Sequence, residues 1–140
     1  MIRISVLTSV ALSSGLLASG ALACPTPPDA VQLTSDVDHA PLAYAQMDAP
    51  PLSAPFVMTV TFCDPPQQVE ALVFDALMPA HRHGMNFTVD VSKIADNQFE
   101  VSNVVFHMPG LWEFRVEAEA AGQRYFYTAE VPLKLSLIHI

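Results

Sequence analysis

The sequence predicts an all-β fold of about seven short antiparallel strands. The clearest strand runs from Trp112 to Glu119, where apolar residues alternate with Glu and Arg, as in a strand with one buried and one solvent-exposed face. Turn residues recur about every ten positions, and no long segment has the apolar period of a helix. Together these observations predict an immunoglobulin-like β-sandwich.

The bounds of the predicted strands are set by segments that favour turns or irregular structure. Residues 24–41 are rich in Pro and Asp and are expected to form an irregular lead-in. Turns are predicted at Asp64–Pro66, Ala95–Asn97, Pro109–Gly110 and Ala121–Gly122. The strands between these breaks are Leu42–Met47, Phe56–Phe62, Val69–Met78, Asn86–Val91, Phe99–His107, Trp112–Glu119 and Gln123–Val131.

The two ends of the chain are not expected to belong to the folded domain. Met1–Arg3 is a basic start, residues 4–22 carry no charge, and Ala21–Ala23 is a small-x-small cleavage site. Residues 1–23 are therefore interpreted as a secretory signal peptide; a membrane anchor is the weaker interpretation, because Ser and Gly interrupt the apolar run. Residues 135–140 look like the translated end of a sequencing adapter, with an ordinary strand ending as the alternative.

One domain remains, with the lead-in and first strand in residues 24–50 and the β-sandwich in residues 51–134. Its length is sufficient for a hydrophobic core. The full chain has 6 Lys and Arg against 14 Asp and Glu, a formal net charge of −8. This charge disfavours nucleic acid and anionic membranes as partners. It suits a protein that meets cations, although solubility alone explains it equally well.

Cys24 and Cys63 are the two cysteines of the chain. In an exported protein such a pair is most simply a disulfide, which would contribute about 4 kcal/mol in the chain-entropy model. Cys63 follows Phe62 on the opposite face from the apolar residues of its strand, so the bond should lie on the outer surface. Alternatively, Cys24 carries a lipid anchor, although Ala21 stands where lipoprotein signals usually have Leu.

Two short segments combine histidine with methionine. Met78–Met85 contains two of each, and His107–Gly110 begins with His-Met; together they hold three of the five histidines. Imidazole with thioether is a soft ligand set that suits copper, above all Cu(I). In an antiparallel sandwich alternate connections share an end, so both segments are expected at one end. The same count places His39 and Cys63 at the other end.

The first segment supplies three expected ligands, His81, His83 and Met85. They are two residues apart, so in an extended loop they face the same way. The alternative for the two histidines is a role in bracing the loop by hydrogen bonds.

The second segment supplies the fourth expected ligand, His107. If the strand persists, Met108 shares the core face with Phe106, and His107 points outward. Met78 and Met108 are additional candidate ligands that otherwise pack in the core. Asp75 is a candidate hydrogen-bond acceptor that would orient a histidine; otherwise it is a solvated strand residue.

Two motifs carry a resemblance to a known family. They are Asp75–Asn86, DALMPAHRHGMN, and Val105–Glu113, VFHMPGLWE. From about residue 51 to residue 133 the chain resembles the YtkA-like domains of exported bacterial proteins, relatives of FixH-type domains. Residues 95–98 depart from the acidic or Gly-rich stretch usual there. The resemblance implies an immunoglobulin-like β-sandwich in the cell envelope, copper handling through the His/Met motifs, and no enzyme activity.

The resulting hypothesis is an exported periplasmic copper-binding protein that buffers Cu(I) or exchanges it with copper donor or acceptor proteins of the envelope. An enzyme is not expected, because the sequence has no Ser/His/Asp or Cys/His constellation. The alternative is a metal-free interaction module of an envelope complex, in which the Met-Pro pairs and Gly84 fix the shape of the loops.

Overall fold

The computed structural model describes residue 24 and residues 26–134, which form an all-β, antiparallel fold. The nine strands are β1 (Val31–Ser35), β2 (Leu42–Gln46), β3 (Phe56–Cys63), β4 (Val69–Met78), β5 (His83–Gly84), β6 (Asp90–Ala95), β7 (Gln98–Val104), β8 (Gly110–Ala120) and β9 (Gln123–Leu133). The predicted signal peptide and adapter-like end lie outside the described residues. Within the described part of the chain, no helix is long and apolar enough to cross a membrane.

The strands form one curled sheet in the order β5-β4-β8-β9-β1-β2-β3-β7-β6. β1 links its two halves, because Val31–Leu33 pair with β2 whereas Thr34 and Ser35 pair with β9. The apolar faces of the halves pack on each other, as at Phe62 of β3 and Tyr127 of β9, whose ring centres are 5.7 Å apart.

The core shows the alternation that the sequence predicted for β8. Trp112, Phe114 and Val116 are buried, whereas the residues between them are at least partly exposed. Phe106 stacks on Phe114 at 5.7 Å and lies 4.8 Å from the ring centre of Trp112. Burial of each such side chain contributes about 1.5–3 kcal/mol, so this aromatic group stabilises the end of the fold where the two His/Met segments emerge.

Three predicted boundaries were wrong. The lead-in is not irregular throughout, since β1 lies within it. The fourth predicted strand, Asn86–Val91, is replaced by β6, which runs from Asp90 to Ala95. The fifth ends at Val104 and not at His107. In addition, the loop between the third and fourth predicted strands contains the short strand β5.

The predicted disulfide between Cys24 and Cys63 is confirmed, with their Cα atoms 5.4 Å apart. Cys63 pairs with Leu42, which is 60% exposed, so its side chain points to the outer face, as predicted, but Cys63 itself is buried, with 9% of its surface exposed. The opposite end of β3 begins at Phe56, whose ring centre is 5.4 Å from that of Phe106. The disulfide and His107 therefore lie at opposite ends of the fold.

Candidate metal site

The first His/Met segment is a hairpin. Its strands pair Leu77 with Gly84 and Met78 with His83. The turn between them is closed by a hydrogen bond from the backbone N–H of His81 to the carbonyl of Met78, at 3.2 Å. Residues directly opposite in an antiparallel pair share a face, so the side chains of His83 and Met78 lie on the same side.

The second segment is held by contacts on both sides of His107. Phe106 is fully buried, forms an isolated parallel bridge with Leu52, and accepts a 2.8 Å hydrogen bond from the backbone N–H of Ser53. The indole Nε1–H of Trp112 donates to the carbonyl of Met108 at 3.0 Å. The backbone around His107 is therefore fixed although it lies outside any strand.

The three histidines form a short row. The ring centres of His81 and His83 are 6.4 Å apart, and those of His83 and His107 are 6.3 Å apart. The prediction that the two segments meet at one end of the fold is confirmed. His81 and His83 are exposed, whereas His107 is half-buried with its ring edge-on to Trp112, 5.6 Å between centres.

These distances can be compared with those in a metal site. Two imidazoles that bind one ion at about 2 Å have ring centres about 4.5–6.5 Å apart, depending on the angle at the metal. Both neighbouring pairs are at the upper end of this range. Across the described residues, no three His, Cys, Asp or Glu side chains are grouped closely enough to hold an ion as they stand. Binding would therefore require the exposed His81 and His83 to turn inward, which surface side chains do readily.

One ring nitrogen lacks a partner. Among the described residues, Nδ1 of His107 is the one buried side-chain nitrogen or oxygen without a hydrogen bond. Buried polar atoms are satisfied in the great majority of cases, and an exception calls for an explanation such as a bound ion. An unpartnered imidazole nitrogen beside two exposed imidazoles fits a metal ligand.

Met78 connects the two segments. It is 3% exposed, and its Cε lies 2.7 Å from the position that a Cβ would occupy at Gly110. A Cβ at Gly110 would displace this methyl group, so Met78 reaches from the hairpin to the segment that follows His107. Apart from the Pro-Gly turn, no sequence pattern indicated this contact.

Met85 and Met108 are partly buried and pack against the core. Met85 is half-buried and lines a cleft of about 380 Å³ together with Phe74 and Phe87. Its backbone N–H donates to the carbonyl of Ala76 at 3.3 Å. Met108 is partly buried and packs against the core, in line with its predicted alternative role.

Asp75 is turned away from the site. It is exposed, pairs with Arg115 in the register of β4 and β8, and accepts a 2.8 Å hydrogen bond from the backbone N–H of Ala76. Because successive strand residues point to opposite faces, Asp75 lies on the face opposite to Met78. The hypothesis that Asp75 orients a histidine is therefore not supported by its contacts.

Comparisons with known proteins found no relative of this chain. No protein-family model, no curated protein and no solved structure matches this chain. The resemblance to YtkA-like domains rests on the two motifs alone and stays a prediction.

Proposed function

We propose that this chain is an exported copper-binding protein that buffers or delivers Cu(I) in the periplasm. The ligands would be the imidazoles of His81, His83 and His107 with a methionine thioether. The observation that carries the proposal is the 6.3 Å approach of the His83 and His107 rings, which come from segments far apart in the sequence.

The chemistry of the donors supports copper as cargo. Imidazole and thioether together select soft ions, and Cu(I) accepts both. Beneath the histidines, Phe106 and Trp112 are fully buried and give the site an apolar floor. Because His81 and His83 are exposed, ligands from another protein could replace them one at a time. This arrangement suits exchange of an ion between carriers better than its permanent retention.

The fold and the location form part of the same proposal. Two facing layers of antiparallel strands support an immunoglobulin-like sandwich of the YtkA type. A disulfide is typical of an oxidising compartment such as the periplasm, and it agrees with the expected signal peptide. The sulfur of Cys24 is bonded to Cys63 and is then not available for acylation, which favours a protein without a lipid anchor.

The proposal is tested by copper binding to the oxidised chain that begins at Cys24. Competition with a chromophoric Cu(I) chelator under anaerobic conditions should give one ion per chain. The double variant His81→Ala/His83→Ala should lose this binding, and circular dichroism should show that its fold is unchanged, since both side chains are exposed. Unchanged stoichiometry and affinity in the double variant would falsify the proposal.

His39 offers the matched control. It lies at the other end of the sandwich, where its Nε2 is 3.1 Å from the side-chain nitrogen of Gln123 and its ring is edge-on to Tyr125. His39→Ala also removes one histidine but should leave the stoichiometry and affinity for Cu(I) as they are.

A second candidate function is a metal-free interaction module. It is favoured by the outer face of β4, β8 and β9, where Val73 and Phe126 are 60% and 55% exposed beside a cleft of about 270 Å³. Exposed apolar groups around a cleft are typical of surfaces that contact other proteins. Absence of Cu(I) binding by the unaltered chain would favour this candidate.

A further inference from the structure

We infer that His107 binds the ion through Nδ1, with the ring proton on Nε2. The inference rests on the proposed function, since it names the atom through which one proposed ligand acts. The two nitrogens of this ring differ in their surroundings. Nδ1 is buried without a hydrogen-bond partner, whereas Nε2 is either accessible to solvent or hydrogen-bonded.

The choice of nitrogen follows from where the proton must go. A neutral imidazole has one N–H and one lone pair, and a metal-bound histidine normally donates its remaining N–H to an acceptor. If Nε2 bound the ion, the proton would sit on Nδ1, buried and without an acceptor. If Nδ1 binds, its lone pair gains a partner and no buried N–H is left unsatisfied.

The side chains around the His107 ring determine how an ion could reach Nδ1. Trp112 is fully buried and is held by its bond to the carbonyl of Met108, so it is not the side chain that moves. His83 is exposed, and its ring centre is 6.3 Å from that of His107. Rotation of His83 toward His107 would place a second imidazole beside an ion bound at that ring.

The experiment is nitrogen NMR of the imidazoles in the oxidised chain that begins at Cys24. Long-range proton–nitrogen correlation spectra of the ¹⁵N-labelled protein distinguish Nδ1 from Nε2 and report which one carries the proton. Ag(I) serves as the probe, because it is a soft monovalent ion whose nuclear spin couples to a bound nitrogen. The chain has five histidines, so spectra of His39→Ala, His81→Ala, His83→Ala and His139→Ala identify four rings and leave His107 as the fifth.

In the metal-free protein at mildly alkaline pH, His107 should carry its proton on Nε2. On addition of one equivalent of Ag(I), Nδ1 of His107 should shift and show coupling to silver, while His39 stays unchanged. Coupling at Nε2 of His107, or coupling at His81 and His83 without His107, would overturn the inference and leave copper binding by the site intact. No coupled imidazole at all would overturn both the inference and the proposed function.

Discussion

At the residue scale, Gly110 has the least room for a side chain among the three glycines in the described part of the chain. Its φ is +133° and a Cβ would stand 2.7 Å from Cε of Met78, so Gly110→Ala combines backbone strain with a steric clash. We expect it to lower the free energy of unfolding by about 2–4 kcal/mol, as measured by urea denaturation at neutral pH.

Substitutions at two other glycines distinguish the cost of backbone strain from the cost of the steric clash. Gly122 has a φ of +76° but open space around it, so Gly122→Ala should cost about 1–2 kcal/mol from strain alone. Gly84 has neither a positive φ nor a contact closer than 4.0 Å, and Gly84→Ala should be almost neutral. If Gly110→Ala lost no more stability than Gly122→Ala, the contact with Met78 would have no energetic weight.

Tyr127 couples the stability of the fold to alkaline pH. Its hydroxyl donates to the carbonyl of Pro41 at 2.9 Å. Burial, with nearby Tyr125 as the smaller cause, raises the pKa of Tyr127 from 10.0 to about 12. The folded protein holds this proton more tightly than the unfolded chain. The contribution of Tyr127 to the free energy of unfolding is therefore complete below pH 10 and is lost as the pH rises from 10 to about 12.

The substitution Tyr127→Phe should therefore lower stability by about 1 kcal/mol at neutral pH and remove the part of the alkaline loss that depends on this hydroxyl. Urea denaturation at a series of pH values measures both effects. Tyr44→Phe, in β2, is the matched control and should keep the alkaline loss. If Tyr127→Phe lost stability between pH 10 and 12 as steeply as the unaltered chain, another group would be responsible.

At the element scale, the hairpin formed by β4 and β5 determines which thioether can serve the site. Met78 lies across from His83 and reaches Gly110, whereas Met85 faces a cleft beside Phe74. Met78→Leu should therefore weaken Cu(I) binding by about tenfold, which is about 1.4 kcal/mol. Leu nearly conserves the volume of Met, so the fold should survive. Chelator competition measures the affinity.

The matched variant Met85→Leu should leave the Cu(I) affinity almost unchanged. The sequence favoured Met85, because its spacing from His83 places both on one face of an extended segment. The opposite result, with binding weakened by Met85→Leu and kept in Met78→Leu, would restore Met85 as the thioether ligand.

The strands differ in how well the sequence predicted them, and the reasons are physical. β8 has one face in the core and one in solvent, so its alternation is strong, and its predicted extent was nearly correct. β6 is an edge strand with exposed Ile94, so its composition carries little signal. Its position follows from the turn at Asn97, whose φ is 58°, while residues 86–89 cross from one layer to the other.

The candidate site was predicted in outline but not in detail. Counting antiparallel strands was sufficient to bring the two His/Met segments to one end, because connection order survives small errors in strand bounds. The predicted continuation of a strand through His107 was wrong, since the chain leaves the sheet after Val104 and is held by Phe106 instead. Neither the unpartnered Nδ1 nor the contact between Met78 and Gly110 could be read from spacing, because both depend on packing between distant segments.

At the scale of the whole molecule, the disulfide and the candidate site lie at opposite ends of the fold. Cys63 ends β3 and Phe56 begins it, so the disulfide is separated from the histidine end by eight strand residues, about 25 Å. Between the two ends lies the continuous core. This separation predicts that the disulfide and copper binding are energetically independent.

The double variant Cys24→Ser/Cys63→Ser tests this independence, and it is preferable to chemical reduction because free thiols would themselves bind Cu(I). The residue separation of 39 predicts a loss of about 4 kcal/mol of unfolding free energy in the chain-entropy model. Faster amide hydrogen exchange should be confined to the segment before β1 and its neighbours. The Cu(I) affinity should stay unchanged, because no histidine of the site contacts that end. A parallel loss of Cu(I) affinity in a variant that is still folded would show that the two ends are coupled through the core. Acylated Cys24 in the mass spectrum of the native protein would show that the disulfide does not form in the cell.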